Sequence, residues 1–185
     1  MLTMYDSVTV TDIPKEPAAV AAYINGIYKN IDEVRARFPR ARILTISVTG
    51  DVVADCYDIE HGDYKASDVE RLYHIAHDAG VWRPCFYAQL SGVMPQVKDE
   101  LNKIPGLVRE DVRLWVAYYN GMPDLPVTYD AHQFTDHALG RNLDESICSD
   151  TFFPPASSPS DVDEYKASTT VFVSFDSKTR QFSVS

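Results

Sequence analysis

Two carboxylates, Asp58 and Glu60, stand two positions apart at the end of an apolar segment, in the stretch ADCYDIEHGDYKASDVERLYHIAHDAG that begins at residue 54. In an extended strand such residues share a face, with Cα atoms about 6.6 Å apart from a rise of ~3.3 Å per residue. Like charges this close repel each other unless a proton, a ligand or a partner offsets the cost. The spacing suits glycoside hydrolysis, in which one carboxyl group protonates the leaving oxygen while another stabilises the cationic sugar, its nucleophile or a polarised substituent.

A structural role for the same two residues is the alternative. Asp58 would then solvate the following loop, and Glu60 would pair with a nearby lysine such as Lys65. The position of the two acids favours the chemical role, because the active site of a parallel α/β barrel forms at the carboxyl ends of its strands. The apolar run precedes the acids and the loop HGDYKA follows them, as expected at such an end.

Short apolar segments rich in Val, Ile, Tyr and Thr alternate with helical patterns over the first 150 residues. Strands are predicted at residues 4–8, 20–24, 42–48, 54–59, 84–89, 113–119 and 129–135, with an eighth near Ser146. Helices are predicted at 30–38, 67–80 and 91–103. Ser67 and Glu70 form a capping box at the start of the second helix and Gly80 ends it, while Pro95 falls in the first turn of the third.

This alternation predicts an α/β fold with a parallel sheet, and about eight strands favour closure into a TIM-like barrel. A barrel with eight helices usually takes about 250 residues, whereas this chain has 185. Fewer than eight helices are therefore expected. The missing helices are expected above all after strand five, where YYNGMPDLPVTYDAHQF leaves no room for one.

The barrel is expected to occupy residues 1–153, because the composition then changes to a Pro/Ser/Asp-rich stretch that predicts an extended linker over 154–168. Residues 169–185 alternate on both sides of DSKT and predict a β-hairpin. A lone hairpin is marginally stable in water. Because Val171, Val173, Phe175, Phe182 and Val184 give it an apolar face, the hairpin is expected to dock on the sheet edge of another chain.

The charge of the chain argues against several partners. A formal net charge of −10 and a sequence pI near 4.8 oppose binding to nucleic acid. No apolar stretch approaches the ~18 residues of a membrane span, and MLTMYDSVTV lacks the basic and apolar regions of a secretory signal. We expect synthesis in the cytoplasm and neither a nucleic-acid nor a membrane partner.

The cysteines and histidines predict no disulfide and no metal site. Cys56, Cys85 and Cys148 are odd in number, lack metal-ligand spacing and lie in apolar segments, so buried thiols are expected. His74 and His77 lie three apart on a predicted helix, but no acid or cysteine nearby completes a ligand set, which indicates a solvated helix face. Neither a metal nor an organic cofactor is expected.

Aromatic residues near the predicted strand ends are candidates for sugar binding, since apolar sugar faces stack on aromatic rings. Trp115, Tyr118 and Tyr119 lie in LWVAYYNG, and Tyr87 lies at the end of strand five. Alternation sends Trp115 and Tyr119 to one side of the strand and Tyr118 to the other. At least one of the three is therefore expected to pack inside the barrel.

Five segments together resemble, in order and spacing, the lysozymes of glycoside hydrolase family 25: MYDS, YDIEHGD, LWVAYYNG, AHQFTD and GRNLDES. The resemblance covers about residues 4–153 and is closest to the smaller glycoside-hydrolase-like domain that bacteriophages and actinobacteria carry. It implies a barrel with fewer than eight helices and cleavage of the bond between N-acetylmuramic acid and N-acetylglucosamine in peptidoglycan. The general acid of the family matches Glu60, and its assisting Asp matches Asp58.

The resemblance also implies further site residues. A family Asp at the end of strand one matches Asp6, and the Asp after the strand-eight glycine matches Asp144. The family's Gln-aromatic pair matches Gln133 and Phe134. A cluster of four acids is expected to raise the pKa of Glu60, as a general acid acting near neutral pH requires.

Two functions are consistent with these features. The first is a muramidase-like hydrolase, phage-encoded and either virion-associated or released at lysis. The second is a non-catalytic tail or capsid protein that uses the barrel for attachment or carbohydrate binding, because a fold does not fix a function. Attachment through residues 169–185, to copies of the chain or to other virion proteins, is compatible with both.

Overall fold

The computed structural model describes residues 1–155, 173–176 and 181–184. The chain divides into two compact units, Met1–Phe153 and Pro154–Ser185. Most of the predicted linker, and residues 169–172, 177–180 and 185 of the predicted hairpin, lie outside the described residues. The first unit contains all the elements that position the predicted site.

The first unit is a closed barrel of eight strands, which neighbour one another in chain order. The strands are β1 Leu2–Asp6, β2 Ala19–Tyr23, β3 Arg42–Ser47, β4 Cys56–Asp58, β5 Cys85–Gln89, β6 Arg113–Ala117, β7 Ala131–Thr135 and β8 Asp144–Cys148. Each predicted strand is present with ends shifted by a few residues. The prediction of a TIM-like barrel with fewer than eight helices is confirmed.

The sheet is mixed, and the prediction of a parallel sheet is wrong for its last strand. Strands β1 to β7 pair in parallel, whereas β8 runs antiparallel to both β7 and β1. A parallel crossover needs a dozen or more residues, and only residues 136–143 separate β7 from β8. The chain therefore turns back directly, which places the first residue of β8 at the barrel end where β1 to β7 finish.

Three α-helices lie in the described part of the chain: α1 Ile31–Arg37, α2 Val69–Asp78 and α3 Met94–Leu101. They follow β2, β4 and β5, as predicted, and Pro95 lies in the first turn of α3. The helix-free segment YYNGMPDLPVTYDAHQF lies between β6 and β7, one strand later than predicted. None of the described helices has the length and apolar character that crossing a bilayer requires.

The start of α2 differs from the predicted capping box. Ser67 lies inside a single 3₁₀ turn, Ala66–Asp68, that precedes the helix. Asp68 instead accepts a hydrogen bond from the Lys65 backbone N–H at 3.0 Å and one from Arg71 at 2.8 Å. The Asp68 carboxylate therefore closes the turn that leads into α2, and no side chain caps the first residues of the helix itself.

Alternation along the strands divides the core into an interior layer and an outer layer. The interior of the barrel holds Met4, Leu44, Cys56, Cys85, Trp115 and Cys148, and the three cysteines are free buried thiols, as predicted. The outer layer packs α2 and α3 against strand residues such as Tyr57 and Phe86, and a third cluster packs α1 against β2. The interior is therefore apolar below the residues at the mouth.

The opposite end of the barrel is closed by Arg113, the first residue of β6. Its buried guanidinium donates hydrogen bonds to the backbone carbonyls of Arg83 at 2.6 Å, Phe152 at 3.0 Å and Asp55 at 3.2 Å. Such charge-assisted bonds offset the cost of burying the cation. The mouth of the barrel is therefore the other end, where β1 to β7 finish and polar side chains face the interior.

The second unit contains two described strands, β9 Val173–Asp176 and β10 Gln181–Val184. They pair antiparallel as a separate two-stranded sheet. The register places Phe175 opposite Phe182 and Val173 opposite Val184.

Candidate active site

Four acids converge at the mouth of the barrel. Asp6 ends β1, Asp58 ends β4, Glu60 follows two residues later, and Asp144 begins β8 directly opposite Asp6 in the register. Asp6 is 3% exposed and Asp58 is 5% exposed, whereas Glu60 and Asp144 are half-buried. The antiparallel direction of β8 is what brings Asp144 to this end.

The burial around β4 follows the alternation of the strand. Tyr57 and Ile59 are buried in the outer layer against the helices, while Cys56 lies in the interior layer. Asp58 and Glu60 therefore lie on the interior side, at successively shallower levels. A large apolar residue at position 59 thus anchors the segment that carries both acids.

The charge of His137 lowers the pKa of Asp144, but no ion pair joins a base to this cluster in the described part of the chain. None of the salt bridges within residues 1–155 includes Asp6, Asp58, Glu60 or Asp144. The alternative in which Glu60 pairs with Lys65 therefore has no support in the structure. One oxygen of Asp58, Oδ1, is buried without a hydrogen-bond partner among the described residues.

Burial and mutual repulsion raise the pKa of both β4 acids. Desolvation is the largest cause of the high pKa of Asp58, followed by the charges of Glu60 and Asp63. Desolvation also raises the pKa of Glu60, and the charges of Asp63 and Asp144 raise it further. Both carboxyl groups therefore favour the protonated form more strongly than a solvent-exposed acid does.

Asp6 and Asp144 form a second carboxyl pair. Burial, the charge of Asp144 and a hydrogen bond shared with it raise the pKa of Asp6 well above its ordinary value. Burial also raises the pKa of Asp144, but the hydrogen bond with Asp6 lowers it. Burial and the neighbouring charge of Asp144 therefore both favour the protonated form of Asp6.

Gln133 connects this pair to two tyrosines. Its Nε2 donates to Asp6 Oδ2 at 3.4 Å, while its Oε1 accepts hydrogen bonds from the hydroxyls of Tyr87 and, at 3.2 Å, Tyr119. Gln133 is only 2% exposed. Phe134 follows it and is buried against His132.

The predicted aromatic residues separate into packing and surface positions. Trp115 is 1% exposed, lies with its ring centroid 4.6 Å from that of Tyr87, and donates its indole N–H to Ser146 at 3.0 Å. Tyr87 is also buried. Tyr118 and Tyr119 are half-exposed, so of the predicted aromatic residues these two offer ring surface to a ligand.

A cleft of about 630 Å³ opens beside the acids. It is lined by Glu60, His61, Gln89, Ser91, Val93, Ala117, Tyr118 and Tyr119. His132 holds the loop after β6 in place, since its two ring nitrogens face the backbone carbonyls of Tyr118 and Asp124. The cleft thus combines one half-buried acid with a fixed pair of exposed aromatic rings.

Two residues at the site escaped the sequence analysis. Tyr23, the last residue of β2, lies close enough to all four acids for their charges to add to the burial that raises its pKa. Asp63, in the loop after β4, raises the pKa of both Asp58 and Glu60. Two sequence signals could have identified them. Tyr23 lies at the end of an apolar strand, and Asp63 lies in the YDIEHGD segment.

The described residues contain no group of His, Cys, Asp or Glu side chains arranged to hold a metal ion. His74 and His77 lie exposed on α2, with His77 stacked on Tyr73.

Comparison with known proteins relates the fold to a solved structure. No family model and no curated protein matches the sequence. Among solved structures, the chain is similar to GHIP, a glycosyl hydrolase 25 of Streptococcus pneumoniae described as a novel virulence factor participating in host cell invasion. The TM-score is 0.56 at 14% identity, and the alignment covers 80% of this chain and 87% of that chain. The chain therefore shares its barrel fold with this glycosyl hydrolase 25. The acids lie at the end of this fold where barrel enzymes carry their active sites.

Proposed function

We propose that the chain is a glycoside hydrolase that cleaves the glycan of peptidoglycan, at the bond between N-acetylmuramic acid and N-acetylglucosamine. The observation that carries this proposal is the group of four acids at the barrel mouth, with Glu60 on the wall of the cleft. The fold shared with a glycosyl hydrolase 25 supports the same reaction class, and the choice of bond rests on the sequence resemblance.

The different depths of Asp58 and Glu60 support different roles for them. Glu60 lines the cleft, so it can reach the glycosidic oxygen and donate its proton as the bond to the anomeric carbon breaks. Asp58 lies deeper, where it can stabilise the positive charge that develops on the sugar or polarise a substituent of the ring. Water then adds to the anomeric carbon and returns a proton to Glu60.

The test is digestion of purified peptidoglycan by the full chain, with mass analysis of the released fragments. Products with N-acetylmuramic acid at the reducing end are expected, because that sugar carries the cleaved anomeric carbon. Glu60→Gln should release none, whereas Glu145→Gln, a matched change on β8, should behave as the unmodified chain does. Absence of reducing-end muramic acid from the wild-type digest, or full activity in Glu60→Gln, would refute the proposal.

A second candidate function is attachment to a larger assembly, with the barrel as a scaffold. The supporting observation is that β9 and β10 form a separate two-stranded sheet, since such a sheet is marginal alone. We infer that residues 169–185 add strands to the sheet of another chain, in a homo-oligomer or a phage particle. Light scattering of the full chain and of residues 1–153 tests this inference, because only the full chain should form a larger species. A full chain that is purely monomeric and also fails to bind virion proteins would contradict it.

A further inference from the structure

Gln133 is held in one orientation by its neighbours. The hydroxyls of Tyr87 and Tyr119 both donate to its Oε1, and a carbonyl oxygen has two lone pairs to offer. Because both donors point at the oxygen, the amide nitrogen must face Asp6, where Nε2 lies 3.4 Å from Oδ2. In the opposite orientation the NH₂ group would face the two hydroxyl groups and Oε1 would face Asp6, so Asp6 Oδ2 would lose its donor.

This arrangement leaves Gln133 little capacity to bind a sugar. Its acceptor is fully used within the protein, and the side chain is buried beneath Tyr119 and the β7 backbone. The sequence resemblance suggested a substrate-binding residue here. The described contacts suggest that Gln133 acts on a carboxyl group instead.

We propose that Gln133 is a positioning residue for Asp6. By donating to Asp6 Oδ2, it leaves the other carboxyl oxygen of Asp6 to carry the proton and to direct it toward Asp144. Asp144 then remains the ionised member of the pair, facing the sugar. Tyr119 connects this series of hydrogen bonds to the cleft, because its half-exposed ring lines the wall where the glycan is expected. The effect on catalysis rests on the proposed hydrolase function, whereas the effect on Asp6 does not.

The surroundings of Asp6 make the amide of Gln133 important. The ionisable groups that interact with Asp6 are all acidic, and they come from β2, β4, β5, the loop after β6, and β8: Tyr23, Asp58, Tyr87, Tyr119 and Asp144. Gln133 contributes the side-chain hydrogen bond that lowers the pKa of Asp6. Removing this donor should therefore move the titration of Asp6 to higher pH.

Carbon-13 NMR of the full chain, labelled at the aspartate carboxyl carbons and assigned with Asp6→Asn, tests this directly. We expect the Asp6 resonance to titrate at higher pH in Gln133→Met, and to move in the same direction by less in Tyr87→Phe. Tyr57→Phe is the matched control, since that hydroxyl bonds to the Val52 carbonyl in the outer layer. An Asp6 titration equal to wild type in Tyr87→Phe and in folded Gln133→Met would overturn the proposal.

The NMR experiment needs no glycan, so it separates this proposal from the proposed function. If the chain cleaves peptidoglycan, Gln133→Met should lower kcat with little change in KM, because the residue acts through Asp6. A raised KM at unchanged kcat would show that Gln133 binds substrate and that the positioning role is wrong.

Discussion

At the scale of single residues, the site consists of four carboxyl groups that form no ion pair with a described basic residue. Asp58 and Glu60 are expected together from their spacing alone, and the structure places both on the interior side of β4. Their different depths were not predictable from the sequence, because burial depends on how the loops after β1 and β6 close over the mouth. Depth is what distinguishes a cleft acid from a supporting acid here.

The charge of Asp63 should tune the pH range of activity. Glu60 must be protonated to act as an acid, so activity is lost as pH rises through its raised pKa. Asp63 contributes to that raised pKa, and Asp63→Asn should therefore move the alkaline limb of the pH profile to lower pH. Asp99→Asn, an exposed acid on α3, is the control. An unchanged alkaline limb in Asp63→Asn would show that Glu60 is not the titrating acid.

Replacement of Asp58 should stabilise the barrel at neutral pH. Because the pKa of Asp58 is raised in the folded chain, the folded state binds more protons than the unfolded state above about pH 4, and stability falls as pH rises. Asp58→Asn removes this penalty and should gain about 0.5–2 kcal/mol at pH 8.

Urea unfolding at pH 8 and at pH 4 measures this effect. The advantage of Asp58→Asn should shrink toward pH 4, because the unfolded aspartate then also takes up its proton and the two states differ less in protonation. A variant less stable than wild type at pH 8 would mean that Asp58 makes a stabilising contact as an anion.

At the scale of elements, strand positions and helix order were predictable because apolar periodicity and end signals are local. The direction of β8 was missed because it depends on the length of one connection and on closure against β1. The predicted capping box was wrong for a different reason: a 3₁₀ turn at Ala66–Asp68 precedes α2, and in that turn Asp68 accepts the hydrogen bond from the Lys65 N–H.

Asp68 and Ser67, in the 3₁₀ turn before α2, give a matched pair of variants. Asp68→Ala removes the acceptor for the Lys65 N–H and the partner of Arg71, so it should cost about 1 kcal/mol of unfolding free energy. Ser67→Ala should leave stability within about 0.5 kcal/mol. Chemical denaturation measures both unfolding free energies. An equal loss of stability in the two variants would show that Ser67 contributes as much to this turn as Asp68 does.

At the scale of the whole molecule, the barrel is complete without the second unit. All eight of its strands lie between Leu2 and Cys148, and β1 pairs with β8 to close it. The composition change near residue 153 predicted where the second unit begins, because Pro, Ser and Asp cannot continue a buried segment. The partner proposed for residues 169–185 lies outside this chain, so the sequence alone could not identify it.

Two truncations, two residues apart, test where the barrel ends. Phe152 and Phe153 are buried in the interior layer, and the Phe152 carbonyl accepts a hydrogen bond from the buried Arg113. Residues 1–153 should therefore unfold within about 2–4 °C of the full chain, a range equivalent to about 1 kcal/mol.

The shorter chain, residues 1–151, lacks the rings of Phe152 and Phe153. It also lacks the Phe152 carbonyl that accepts a hydrogen bond from Arg113. Loss of one buried Phe side chain costs about 3–5 kcal/mol, so the midpoint should fall by about 6 °C or more. Thermal unfolding followed by circular dichroism compares the two chains. If residues 1–153 melt as low as residues 1–151, the second unit contributes to the core of the barrel, and the inference that it serves another chain is wrong.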